Sequence, residues 1–283
     1  MCPTQIICLA NSAKYSERCV AGIEPDSRQW IRPVSDTHPE DGRVPSTTSV
    51  IDDGDMLTLA AVELLDVLEI PLDTTGPDFD FECENRSILP GDWTLVRKAN
   101  AEEVLELINF GSPILHNFYK YVPIANIQAL LFPERKTLEL VYTDELTIIS
   151  IPRRNGGTQW KGSFFMRNGL SFTELTITDN ALLHQLDEGA APEGPCLITL
   201  SLSLPHEFDG WTGPPNPCWK LIAGVIELSL DARIRIEMKL AGWGIRQARQ
   251  HIQQTCQKNN RQEMTDEEKI EFINYLREVN EGS

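Results

Sequence analysis

The chain opens on three short apolar runs, IICLA at 6–10, CVAGI at 19–23 and WIRPV at 30–34, with polar stretches between them. Runs of this length, bounded by turn formers such as Pro25-Asp26-Ser27, predict strands. NSAKYSER (11–18) is expected to be the loop between the first two. The run DMLTLAAVELLDVLEI (55–70) fits helix or strand by period alone, and its neighbours favour strand. Phe79, Phe81 and Cys83 alternate with Asp78, Asp80, Glu82 and Glu84, which predicts a strand with a solvent-facing row of carboxylates. NAEEVLELINFG (100–111) predicts the clearest internal helix. Asn100 can cap it, Glu102 and Glu103 suit the positive end of its dipole, and Gly111 ends it.

The second half repeats the β pattern after a Pro-bounded aromatic loop, SPILHNFYKYVPI (112–124). TLELVYTDELTIISI (137–151), PCLITLSLSL (195–204) and CWKLIAGVIELSL (218–230) read as strands. Asn155-Gly156-Gly157 and Asn168-Gly169 read as hairpin turns. Many short strands with few helices predict small barrels or sandwiches. The end changes style. GIRQARQHIQQTCQKNNRQ (244–262) has helical composition, and TDEEKIEFINYLREV (265–279) starts with a capping-box pair, Thr265 and Glu268. A two-helix appendage is expected there.

Composition narrows the class. No run of eighteen apolar residues exists, so no membrane span is expected, and the start lacks a basic region before an apolar stretch. A cytoplasmic protein is the default. Seven cysteines, an odd number with no C-x-x-C, weigh against a disulfide framework and a structural zinc site. The net charge of −17 weighs against a general nucleic-acid coat. Yet residues 146–173 hold no Asp or Glu, and residues 233–262 carry seven Arg or Lys against Glu237 alone.

The motifs ICLANSAKYSERCVAG and WIRPVS, then FECEN, and late CWKLIAGVIEL together resemble the bacterial dual OB-containing domain family over roughly residues 5–230. The resemblance implies two OB-like small β-barrels in tandem, with nucleic-acid binding as the usual suggestion. The fold expected is therefore mainly β: one OB-like domain at 1–120, a second at 121–232, and a C-terminal α-helical extension at 233–283. The extension falls outside the resemblance. Fold analogy alone is a weak warrant for function.

Four groups of residues carry the candidate chemistry. Asn11, Ser12, Lys14 and Arg18 suit a barrel mouth where Lys and Arg meet phosphate, or equally a solvated hairpin loop. Trp30 and Arg32 share a strand face, as a stacking platform for a base or as a core edge with a paired guanidinium. Arg153, Arg154, Trp160, Lys161 and Arg167 interleave cations with an indole around a Gly-Gly turn. Arg246, Arg249, Lys258 and Arg261, with Arg233, Arg235 and Lys239, form the largest basic cluster. A protein partner, a nucleic-acid backbone or the chain's own acidic residues would satisfy it.

Enzyme signatures are poor. Asp52-Asp53-Gly54-Asp55 reads as a turn, the five histidines are scattered without H-x-x-x-H, and no G-x-S-x-G or P-loop occurs. No catalytic residue, metal or cofactor is expected. The leading expectation is a non-enzymatic accessory module that binds single-stranded or exposed DNA or RNA within a larger assembly. The alternative is an adaptor that docks a protein partner through barrels and helices, and a third reading is an enzyme with an unrecognised site at the barrel interface.

Overall fold

The computed structural model describes residues 3–14, 16–153 and 156–281. Two sheets account for most of the chain. The first contains β1 (Thr4–Lys14), β2 (Glu17–Ile23), β3 (Trp30–Val34), β4 (Ser49–Asp52), β5 (Asp55–Thr58), β6 (Asp66–Ile70), β7 (Asn85–Ser87) and β8 (Trp93–Lys98). Its spatial order is β5-β4-β8-β6-β1-β2-β3-β7. The second contains β9 (Tyr121–Pro123), β10 (Leu138–Thr143), β11 (Leu146–Pro152), β12 (Thr158–Phe165), β13 (Ser171–Ile177), β14 (Cys196–Leu202) and β15 (Pro217–Glu227). Its order is β10-β14-β15-β13-β12-β11, with β9 added on β15. Short helices α1 (Ile124–Gln128) and α2 (Asn180–Asp187) connect strands of the second sheet. Three helices end the chain: α3 (Leu230–Leu240), α4 (Ile245–Cys256) and α5 (Asp266–Glu281). The protein is thus mainly β, with two sheets and C-terminal helices.

Both sheets belong to one compact unit, residues 1–100 and 107–226. A second unit comprises 101–106 and 227–283. Its core joins Ile234 of α3, Ala248 and Ile252 of α4, and Phe272, Ile273 and Leu276 of α5. Ser229 caps α3 through Ala232 N, and Thr265 and Glu268 form the capping box expected at α5.

Four local expectations are corrected. NSAKYSER is not simply a loop, because β1 runs through Asn11 to Lys14 and β2 begins at Glu17. The polar residues stay in the strand because their side chains reach partners across the sheets. Residues 78–84 are not a strand. Phe79 and Asp80 take positive φ (43° and 70°), which turns the chain, and Glu82 and Glu84 are buried rather than solvent-facing. The helix expected at 100–111 is a 3-10 turn over Ala101–Leu107. Its Glu102 is fixed from outside by Arg235 and Arg261, so external ion pairs shape the segment more than an internal ladder does. The appendage has three helices, because LDARIRIEMKL continues beyond β15 with Ile234 and Ile236 buried.

The sheets meet where β1 crosses β15. Ala13 N donates to Thr178 O at 3.0 Å, and Ser12 Oγ donates to Ala223 O at 3.2 Å. Asn11 Nδ2 clamps the 3-10 turn after β5 through Leu59 O (3.1 Å) and Val62 O (2.8 Å). The contact is lined by small residues, Ala10, Ala21 and Ala223, with Leu138 and the half-buried Trp30. Gly224 is required here, since a Cβ would lie 2.2 Å from Leu9 O.

A buried ionic cluster makes the second joint. Arg32 of β3 pairs with Glu82 at 2.8 Å and donates to Asn85 Oδ1 (3.2 Å) and Thr137 Oγ1 (2.9 Å). Glu84 accepts from Thr137 N at 2.6 Å and Thr137 Oγ1 at 2.9 Å. Thr137 immediately precedes β10, so this cluster ties the first sheet to the second. Burial lowers the proton affinity of Arg32, but Glu82 and Glu84 outweigh it and raise the net value. Burial pushes the Glu84 carboxyl up, with Arg32 and Thr137 opposing.

Two substitutions test this junction by urea denaturation. Gly224→Ala is expected to cost about 1–3 kcal/mol through backbone displacement. Arg32→Ala is expected to cost about 3–5 kcal/mol, because Glu82 and Glu84 would remain buried without their cation. A loss below about 1 kcal/mol for both would contradict the assignment of this contact as the sheet–sheet joint.

Candidate nucleic-acid interface

Of the six residues proposed from sequence in the first sheet, Asn11, Ser12, Arg18 and Arg32 are buried and Lys14 and Trp30 are half-buried. Asn11, Ser12 and Arg32 are buried, and their bonded polar atoms have protein partners at the joints just described. Trp30 packs against the small-residue contact. Lys14 pairs with the buried Asp41 at 3.2 Å. Arg18 is 9% exposed, burial lowers its proton affinity, and its main chain exchanges hydrogen bonds with Val44. These residues therefore do not form an open mouth.

The second basic window divides. Trp160 lies against the core and donates its indole N–H to Asp187 of α2 at 2.9 Å. Arg167 makes a two-pronged contact with Asp144, at 2.8 and 3.0 Å, over the Tyr142 ring. Arg154 lies outside the described residues. Arg153 is exposed in the β11–β12 connection. Lys161 of β12 is half-buried and donates to Thr176 Oγ1 at 2.7 Å. Burial lowers its proton affinity, and the nearby cations Lys120 and Arg153 lower it further, against Glu174.

Strand register carries this face onward. Lys161 sits opposite Thr176, Thr176 opposite Leu221, and Trp219 two residues back on β15 sits opposite Tyr121 of β9. Side chains two apart on a strand share a face, so these positions form one row on the outer side of the second sheet. The row ends in five aromatic rings in mutual contact. Trp211 lies 5.0 Å from both Tyr121 and Trp219, centroid to centroid. Phe208 lies 5.3 Å from both tryptophans, and Tyr119 stacks on Tyr121 at 6.0 Å. Tyr119 is 66% and Phe208 54% exposed, which leaves large apolar area in water.

The 203–216 loop is built to hold these rings. The indole of Trp219 donates to His206 O (2.9 Å), and that of Trp211 donates to Pro214 O (2.8 Å). Both N–H groups are thereby satisfied within the loop, and the ring faces carry no unmet donor. Gly213 makes room for Trp211, since a Cβ there would stand 2.1 Å from the indole. Asn216 N is held by Glu207 Oε1 at 3.0 Å. Sequence reasoning missed Tyr119, Tyr121, Phe208, Trp211 and Trp219. The available signal was the density of rings in NFYKYV and in the Gly/Pro-rich segment HEFDGWTGPPNPCW.

In the C-terminal unit most of the basic cluster is satisfied internally. Arg261 contacts both Glu102 oxygens at 2.7 Å, Arg235 pairs with Glu102 at 2.6 Å, and Lys239 pairs with Glu106 at 3.1 Å. Lys258 pairs with Glu268. A cavity of about 510 Å³ lies behind these pairs, with an apolar floor that includes Ile234, Met238 and Phe272. Arg246 and Arg249 are exposed and have no ion pair among the described residues.

Two sheets in one unit, with an aromatic and basic outer face on the second, make up the candidate interface. The model of the dual OB-containing domain matches residues 4–225, and the chain belongs to that family. No curated protein and no solved structure matches the chain.

Lys220, one residue past Trp219, points the other way and is 1% exposed. Its Nζ donates to Ile114 O at 2.6 Å and Asn117 O at 2.7 Å and lies 4.8 Å from the Phe172 centroid. It thereby fastens the 114–117 turn that leads into Tyr119 and Tyr121. Burial lowers its pKa to about 7, with Glu139 opposing. The unfolded chain then binds the extra proton between pH 7 and the usual lysine value. Stability attributable to Lys220 rises with pH across that window and is lost as pH falls through 7, with a slope of up to about 1.4 kcal/mol per unit. Urea titrations from pH 6.5 to about 9.5 are expected to show this slope in the native sequence and not in Lys220→Met. Equal slopes in both would contradict it.

Proposed function

We propose that the chain binds single-stranded nucleic acid across the outer face of its second sheet, with each sheet acting as an OB-like barrel. The observation that carries this reading is the surface cluster of exposed Tyr119 and Phe208 with half-buried Tyr121, Trp211 and Trp219, continuing into Lys120, Lys161 and Arg153. Aromatic faces stack bases without sequence preference, while nearby cations neutralise the backbone. OB folds use a sheet face and its flanking loops in this manner. The net charge of −17 supports local recognition over general coating of nucleic acid. A non-enzymatic accessory role within a larger assembly fits such a restricted site.

The protein-interaction adaptor reading uses the same exposed rings but needs no phosphate. Anisotropy with labelled single-stranded DNA and RNA at two salt concentrations separates the two. Trp219→Ala is expected to weaken binding by about 1–3 kcal/mol through one lost stacking surface. Lys120→Ala is expected to weaken binding to all sequences and to reduce the salt slope by about one phosphate contact. Absence of binding to either nucleic acid would favour the adaptor reading. Unchanged affinity in a folded Trp219→Ala variant would move the site elsewhere.

A further inference from the structure

Helix α4 presents a cationic surface on a strongly acidic chain. Residues 241–262 contain no Asp or Glu, within a chain of net charge −17. Ala248 and Ile252 hold the helix to the core of its unit. Arg246, Arg249, Gln250 and Gln253 stand at i, i+3, i+4 and i+7, so they form a single stripe, and all four are exposed. Neither arginine has an ion pair among the described residues, whereas Arg235, Lys239, Lys258 and Arg261 are all paired.

We propose that α4 is a reading helix that enters the major groove of duplex DNA. Three observations converge. The stripe combines two arginines with two glutamines, the side chains that pair bidentately with guanine O6/N7 and adenine N6/N7. The two arginines lie in the N-terminal half of α4, the part of a recognition helix that contacts base edges. Helix α4 follows α3 after a four-residue turn, 241–244, with Gly242 at φ +67° and Trp243 N bonded to Met238 O at 2.7 Å. Such a connection, backed by a third helix with a shared core, is the organisation of a helix-turn-helix module. A polyanion is the complementary partner for an unpaired cationic stripe without acidic neighbours on its own helix. This site is independent of the aromatic face and takes a different ligand.

The test uses the full chain and a labelled duplex of about 20 base pairs with mixed sequence. The native protein is expected to bind it with a marked salt dependence. The double variant Arg246→Gln/Arg249→Gln, altered only at exposed positions, is expected to bind about tenfold or more weakly, with a salt slope lowered by about two. Trp219→Ala is expected to leave duplex affinity unchanged, so loss of the single-strand site and loss of this one are read separately. No duplex binding by the native chain would overturn the proposal, as would duplex binding indifferent to the double variant. Preferential binding of an acidic peptide such as polyglutamate, lost in the double variant, would assign the stripe to a protein partner and overturn it equally.

Discussion

The sheet-bearing unit depends on one buried interaction, the Arg32 guanidinium held by Glu82 and Asn85 and joined through Thr137 to Glu84. A charge of either sign alone in this setting would cost several kcal/mol, so each member is retained by the others. The consequence is geometric. Residues 82–85 run into the start of β7, and Thr137 leads into β10, so the cluster fixes where the second sheet begins relative to the first. The β1–β15 contact completes the joint, with Ser12 on Ala223 and the backbone of Gly224 against Leu9. Two sheets joined only by a linker would be free to rotate, whereas these share polar bonds and a small-residue core.

That constraint reassigns the opening motif. Asn, Ser, Arg and Trp near the start of a barrel suit ligand binding by residue type. Here burial at the joint uses them for architecture: Asn11 clamps a turn, Ser12 crosses to β15, Trp30 packs on alanines and Arg32 anchors the cluster. The proposed binding face lies instead on the second sheet, along a half-buried outer row from Lys161 to Trp219. Lys220, on the opposite face of the same strand, secures the turn beneath the aromatic rings.

Much of the β architecture was legible from period and turn chemistry, because strands such as β11, β14 and β15 are apolar runs bounded by turn formers. The capping box of α5 was legible for the same local reason. What failed depended on distant partners. Glu82 and Glu84 alternate with apolar residues like a solvated strand face, and only Arg32, some fifty positions earlier, makes their burial possible. The segment at 101–107 has the composition of a helix, but Arg235 and Arg261 hold Glu102 from more than 130 positions away. The aromatic site joins 119–121 to 208–219 through the β9–β15 pairing, a contact that no local window contains.

Amide hydrogen exchange with and without a single-stranded oligonucleotide tests the central claim most directly. Added protection is expected at 119–122, 158–163 and 206–221, where strands and loop carry the aromatic and basic face, and no change at 11–18. Protection confined to 11–18 and 30–34, with the second-sheet segments unchanged, would contradict it and return the ligand to the first sheet.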